Sequence, residues 1–176
     1  GALAVVNNGS WIANASAGMV LSTTAGATNN ALIRGDNASF TIANTQLNQG
    51  ASGVLNAING GSVVLNSGSQ VVGGTFSTAS GGEVAVNSGN TARVAGVTNT
   101  GTLSIKNNGE LLLSGNLTNN GSVNMQSLGN ATDLRADGNR SILGTGTITL
   151  SNALQNRIFG VAAGGSLTLG ASQALQ

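Results

Sequence analysis

Six Lys/Arg and five Asp/Glu supply nearly all of the ionisable chemistry in this 176-residue chain, which has no His, Cys, Tyr or Pro. Those absences exclude a thiol nucleophile, a disulfide framework, a zinc site and a Ser-His-Asp triad. Paired carboxylates that cleave glycosidic bonds must lie close in space. Of Asp36, Glu83, Glu110, Asp133 and Asp137, only Asp133 and Asp137 are near neighbours, and Arg135 and Arg140 accompany them. That group reads either as a small calcium-binding loop or as a solvated loop bulging from the fold, with two self-neutralising pairs. A calcium loop needs a denser run of oxygen ligands, so the second reading is preferred.

Three further features are candidates for contact with a partner. Arg34-Gly35-Asp36 matches a cell-attachment tripeptide and is expected at a turn, either displayed for adhesion or, the preferred reading, as an ordinary turn. Arg93 and Arg157 fall at the same offset of their repeats, with Val72 and Leu112 in the same outward row. Two guanidinium groups on one face suit an acidic glycan, or are simply solvated. Trp11, the sole Trp, could stack on a sugar ring, though filling space near one end of the fold is the preferred role. No catalytic, cofactor or metal site is predicted. A formal net charge of +1 leaves no electrostatic footprint for nucleic acid. The longest purely aliphatic run, 2–6, is far too short for a transmembrane segment.

These side chains must be positioned by a repeat. A five-residue block of small, polar, aliphatic, any, aliphatic recurs through the chain. Its clearest copies are Gly61-Ser-Val-Val-Leu65, Gly82-Glu-Val-Ala-Val86, Gly101-Thr-Leu-Ser-Ile105 and Gly121-Ser-Val-Asn-Met125. Gly146-Thr-Ile-Thr-Leu150 and Gly165-Ser-Leu-Thr-Leu169 continue the series, and looser copies begin at Ala17 and Ala38. Starts at 17, 38, 61, 82, 101, 121, 146 and 165 average about 21 residues apart. Each block is followed by an Asn/Ser/Gly turn such as Asn66-Ser-Gly68 or Asn107-Asn-Gly109. A second apolar stretch then closes on Gly, and a third supplies about one apolar residue: Phe76, Val97, Leu117, Ile142, Val161.

Strict alternation within the block is a strand signal. Three short strands in about 21 residues match one coil of a parallel β-helix. The predicted fold is therefore all-β: a right-handed parallel β-helix of three strands per coil and eight or more coils, about 40 Å long at one interstrand spacing per coil. Continuous backbone pairing between coils explains the absence of Pro. Gly and Asn supply left-handed turn positions cheaply, and stacked Asn can form amide ladders. A narrow bore favours Val, Leu and Ile over rings. Residues 1–176 are expected to form a single β-helical segment of a longer repetitive chain, because neither end shows a cap over its exposed strand edge. The outward row of the first strand is expected to run Val20, Thr41, Val64, Ala85, Ser104, Asn124, Thr149, Thr168, which is too mixed for a Thr ladder that binds ice.

The blocks Val97-Thr-Asn-Thr-Gly-Thr-Leu-Ser-Ile105, Leu117-Thr-Asn-Asn-Gly-Ser-Val-Asn-Met125 and Gly164-Gly-Ser-Leu-Thr-Leu169 resemble repeats of filamentous-haemagglutinin-like adhesins secreted by the two-partner route. Asn66-Ser-Gly-Ser-Gln-Val-Val-Gly-Gly74 and Val86-Asn-Ser-Gly-Asn90 are similar to autotransporter passenger repeats. The resemblance covers most of the chain, most clearly 61–170. It implies a non-enzymatic shaft on the bacterial cell surface, exported through an outer-membrane transporter and acting in attachment, aggregation and biofilm formation. Its implied partners are extracellular polysaccharide or another cell surface. The Asn-Pro motifs of that family's secretion domain are absent from this chain, which has no Pro. Two alternatives stand beside it: a glycan-acting β-helix like a phage tailspike or polysaccharide lyase, and a self-stacking extracellular matrix fibre.

Overall fold

A computed structural model describes residues 3–161 and 165–176. Short strands, from Val5–Asn7 to Ala174–Leu175, form three parallel sheets of eight strands each. Every strand pairs with the strand three places further along the chain, so the chain visits the three sheets in turn and then climbs one rung. The result is a β-solenoid of about 7 turns with ~22 residues per turn. We call the sheets one, two and three, after the strands Val5–Asn7, Ser10–Ala13 and Met19–Ser22 that begin them.

Alternation sets which side chains enter the bore. In sheet three one inward row runs Met19, Phe40, Val63, Val84, Leu103, Val123, Ile148. The other runs Leu21, Ile42, Leu65, Val86, Ile105, Met125, Leu150. From Phe40 to Ile148 and from Leu21 to Met125 these residues are buried. Two of the three phenylalanines, Phe40 and Phe76, also lie inside the bore, fully buried. The bore thus admits single rings where the facing row offers aliphatic neighbours.

Glycine serves two purposes here. At corners it takes left-handed backbone, as at Gly68 (φ 75) and Gly89 (φ 72). Asn37, Asn44, Asn59 and Asn108 do the same, since an Asn side chain tolerates that region. At the head of the sheet-three strands from Ser62 to Thr147 the reason is proximity. A Cβ on Gly121 would overlap the carbonyl oxygen of Gly101, and one on Gly146 would overlap that of Gly121. At these rungs the backbones approach too closely for a side chain, although the equivalent positions nearer the ends hold Ala38 and Gln173.

Amide ladders form inside the coil corners. Asn7 Nδ2 donates to Asn29 Oδ1 at 2.7 Å, and Asn29 Nδ2 donates to Gln49 Oε1 at 2.7 Å. At another corner Asn99 Nδ2 donates to Asn119 Oδ1 at 2.8 Å, and Asn119 Nδ2 donates to Gln173 Oε1 at 3.0 Å. Asn7, Asn29, Asn99 and Asn119 are buried, and their amides also donate to backbone carbonyls, including Leu32, Val54, Ser122 and Thr147. Buried amides are tolerable because they are satisfied in this way.

The structure corrects two parts of the repeat alignment. Leu167–Leu169, in the block starting at Gly165, belongs to sheet two and pairs with Arg140–Leu143. Sheet three instead ends on Ala174–Leu175, paired with Thr147 and Ile148. Thr168 therefore leaves the expected outward row, which holds from Val20 to Thr149. Val161 likewise does not supply the third strand of its coil; it follows the sheet-one strand Asn156–Gly160 and donates its N–H to Ala136 O. A block of the right composition fits either sheet, because both need the same alternation.

Candidate functional site

The outer face of sheet one carries Arg93, Glu110, Asp133, Arg135 and Arg157, five of the chain's eleven charged residues. The register places Gln70, Arg93, Leu112, Arg135 and Phe159 in one outward row. Thr91, Glu110, Asp133 and Arg157 form a parallel outward row two residues earlier. Arg93 and Arg157 share the face but not the row, and Val72 aligns with Ala95. Arg157 grips Asp133 with two hydrogen bonds, Nε to Oδ1 and Nη2 to Oδ2, both 2.7 Å. That hydrogen-bonded carboxylate, aided by its charge, holds the Arg157 guanidinium above its usual pKa. Arg135 Nη1 meets Glu110 Oε1 at 2.8 Å. Both guanidinium groups approach the Phe159 ring, at 5.1 and 5.5 Å. Arg93 is exposed and has no ion-pair partner among the described residues.

This arrangement overturns the expected bulge. Asp133 and Arg135 lie in the strand Thr132–Ala136, not in a loop, and each pairs across a rung instead of with each other. Parallel stacking puts rung-to-rung partners within reach, whereas neighbours in a strand point to opposite faces or lie two positions apart. By register, three of the five extra residues of that repeat fall at the corner before the strand, within 127–132, and two at the corner after it, within 137–141. Asp137 lies just beyond the strand and is exposed. Both Asp133 oxygens are occupied by Arg157, and no cluster of three acidic ligands occurs among the described residues.

The attachment tripeptide is also not at a turn. Arg34, Gly35 and Asp36 end the strand Leu32–Asp36, with Gly35 buried and paired to Ala57. Arg34 Nε donates to Asn56 Oδ1 at 2.8 Å, and Asp36 Oδ1 accepts from Asn59 Nδ2 at 2.8 Å. Both charged side chains are thus engaged with the next rung. Trp11 lies near one end of the bore, its ring stacked on Phe40 at 6.5 Å and 13°, and it packs against the core.

A concavity lies elsewhere, at the corner where sheet three hands the chain to sheet one. It is a groove of about 730 Å³. The strand register, extended by one residue, aligns Asn66, Asn87, Lys106, Gln126 and Ser151 in one row across five successive rungs. All five line the groove. Asn66 Oδ1 is buried without a hydrogen-bond partner, and the Asn87 and Gln126 side chains make no hydrogen bond among the described residues. Lys106 Nζ is held by Glu83 at 2.7 Å. That pair crosses diagonally over Ala85 and Ser104, which are buried although they point outward. Two five-residue loops, 127–131 and 151–155, rise at the same corner, and each carries an exposed leucine, Leu128 or Leu154.

Sequence reasoning placed Asn66 and Asn87 of this row in ordinary turns and did not single out Lys106, Gln126 or Ser151. Its signal was nevertheless present: the position after the second aliphatic of each block is Asn, Asn, Lys, Gln or Ser in five consecutive repeats. Chemically, the sheet-one face has largely spent its charges on itself, while the corner row presents the Asn87 and Gln126 amides with free hydrogen-bonding capacity; Ser151 Oγ donates to Ser127 O and accepts from Asn156 Nδ2. Compared with known proteins, the chain matches no family model, no curated protein and no solved structure.

Proposed function

We propose that this chain is the structural shaft of a large secreted bacterial surface adhesin, which attaches cells to one another or to surfaces through polysaccharide or lateral contacts. The observation that carries the reading is the solenoid itself. Three uninterrupted parallel sheets around a filled bore make a stiff rod whose surface repeats from rung to rung. Such a rod can hold a binding end away from a cell and offer long lateral faces to a matrix.

The reading includes export to the cell surface through an outer-membrane transporter. A chain without Cys has no disulfide to hinder passage unfolded. Stacking one coil on the last drives folding on the far side without an energy source. No helix among the described residues is long and apolar enough to cross a membrane. The proposed role is also non-catalytic: Glu110 and Asp133, the adjacent carboxylates of sheet one, are each claimed by a guanidinium.

Beads coated with the chain test the reading. They should capture bacterial cells and exopolysaccharide above albumin-coated beads, and leave the polysaccharide's length unchanged. Capture no better than albumin would overturn the adhesive role. Shortening of the polymer would replace it with a depolymerase.

A further inference from the structure

The geometry points to the corner groove as a binding site for an uncharged, extended hexose polymer lying parallel to the rod. The inference rests on the adhesive-shaft reading for its setting and on the groove for its location. Its first support is spacing. The row Asn66, Asn87, Lys106, Gln126, Ser151 presents one polar side chain per rung, and rungs are ~4.8 Å apart. In an extended β-1,4-linked hexose chain each ring advances by roughly one rung and turns over relative to the last, so the same ring face returns every second rung, the separation of Asn87 and Gln126; an extended peptide, at about 3.3 Å per residue, does not match one rung.

Hydrogen-bonding capacity is the second support. Asn and Gln each offer two donors and an acceptor, the combination that vicinal hydroxyls require. Asn87 and Gln126 have all of that capacity unused among the described residues, whereas Asn66 Oδ1 is buried and does not itself face the groove.

Charge is the third. The only cation in the row, Lys106, is neutralised by Glu83 at 2.7 Å, and the rest of the lining is uncharged. An acidic polymer gains nothing here that it would not gain more readily beside Arg93. Leu128, exposed on the 127–131 loop and lining the groove, supplies an apolar edge for the C–H face of a ring.

Hydroxyethyl cellulose, a neutral β-1,4-linked polymer, is the probe, with alginate as the acidic comparator. Retention of the full chain is measured against the double variant Asn87→Ala with Gln126→Ala, and against Arg93→Ala. The double variant should keep its melting temperature and bind the neutral polymer at least tenfold more weakly, while Arg93→Ala binds it normally. No retention of the unmodified chain on hydroxyethyl cellulose, or equal retention of the double variant, overturns the groove. Alginate binding lost in Arg93→Ala but kept in the double variant, without neutral binding, sinks the groove while leaving a polysaccharide-binding shaft. Absence of binding to either polymer together with failed cell capture by coated beads would remove both readings.

Discussion

Asparagine occupies two kinds of position in this solenoid. Asn119 sits inside a corner, fully buried, and accepts from Asn99 while donating to Gln173 Oε1 and Thr147 O. Asn87 sits outside another corner, half-buried, with no side-chain partner among the described residues. Residue type and spacing are alike, about one per rung; hydrogen-bond satisfaction is opposite. An amide whose valences are filled by the fold serves stability, and one whose valences are left open is available to something else. Charged residues divide in the same way: Arg157 is consumed by Asp133, and Arg93 is not.

The sharpest way to break this comparison is Asn119→Leu. It removes the buried amide that links Asn99 to Gln173 Oε1 and Thr147 O, leaving those two acceptors without its donor, at about 3 kcal/mol. Urea unfolding followed by circular dichroism should show that loss, starting in the coils from 119 onward because each rung leans on its neighbours. Unchanged stability would mean that the interior ladder is decorative. Next in size is Gly121→Ala, two residues further on. The new methyl would press on the Gly101 carbonyl and push two rungs apart, at about 2 kcal/mol by the usual cost of overpacking. The same denaturation curve would read it, and a neutral result would show that the ladder and not the close rung approach sets the spacing.

How much of this was legible in the sequence follows from the same physics. Val84 and Val86, or Leu103 and Ile105, announce a half-buried strand by alternation alone, and the Asn/Gly corners announce the turns. The coil and its period therefore could be read directly. Leu167 and Leu169 could not be assigned to a sheet, because alternation is the same in sheets two and three and only the register of the neighbouring rung decides. Asp133 and Arg135 were misread for a related reason. Closeness in sequence suggested a pair, but a parallel solenoid brings residue i next to residues about one coil away. The interior switch from Phe76 to Asn99 in one sheet-two row was equally hidden, since both residue types are permitted on an inward position once the amide has partners. The corner groove was hidden because its Asn and Ser also suit turns.

A smaller effect is expected from Glu83→Gln. The Lys106–Glu83 pair is about a quarter exposed on each side, so its loss should cost no more than about 1 kcal/mol. Its value is in the groove: an unpaired ammonium in the middle of the row should add affinity for alginate that disappears at high salt. Retention assays on the two polymers at low and high ionic strength would show it, and unchanged alginate retention would mean that Lys106 does not face the groove's occupant.

Smallest of all is the stability effect of Asn87→Ala, and that smallness decides the comparison. Asn87 makes no side-chain hydrogen bond that alanine would forfeit, and its rung is held by backbone pairing on both sides. The expected change lies within about 0.5 kcal/mol of zero, as for ordinary surface substitutions. Asn119→Leu and Asn87→Ala should therefore differ several-fold in denaturation although both alter one asparagine per rung. If Asn87→Ala instead destabilises as strongly as Asn119→Leu, the corner amides belong to the fold, and their open valences are filled in solution by the protein's own surface. If stability holds while polymer retention falls, the open row is a recognition surface laid over a scaffold that does not need it.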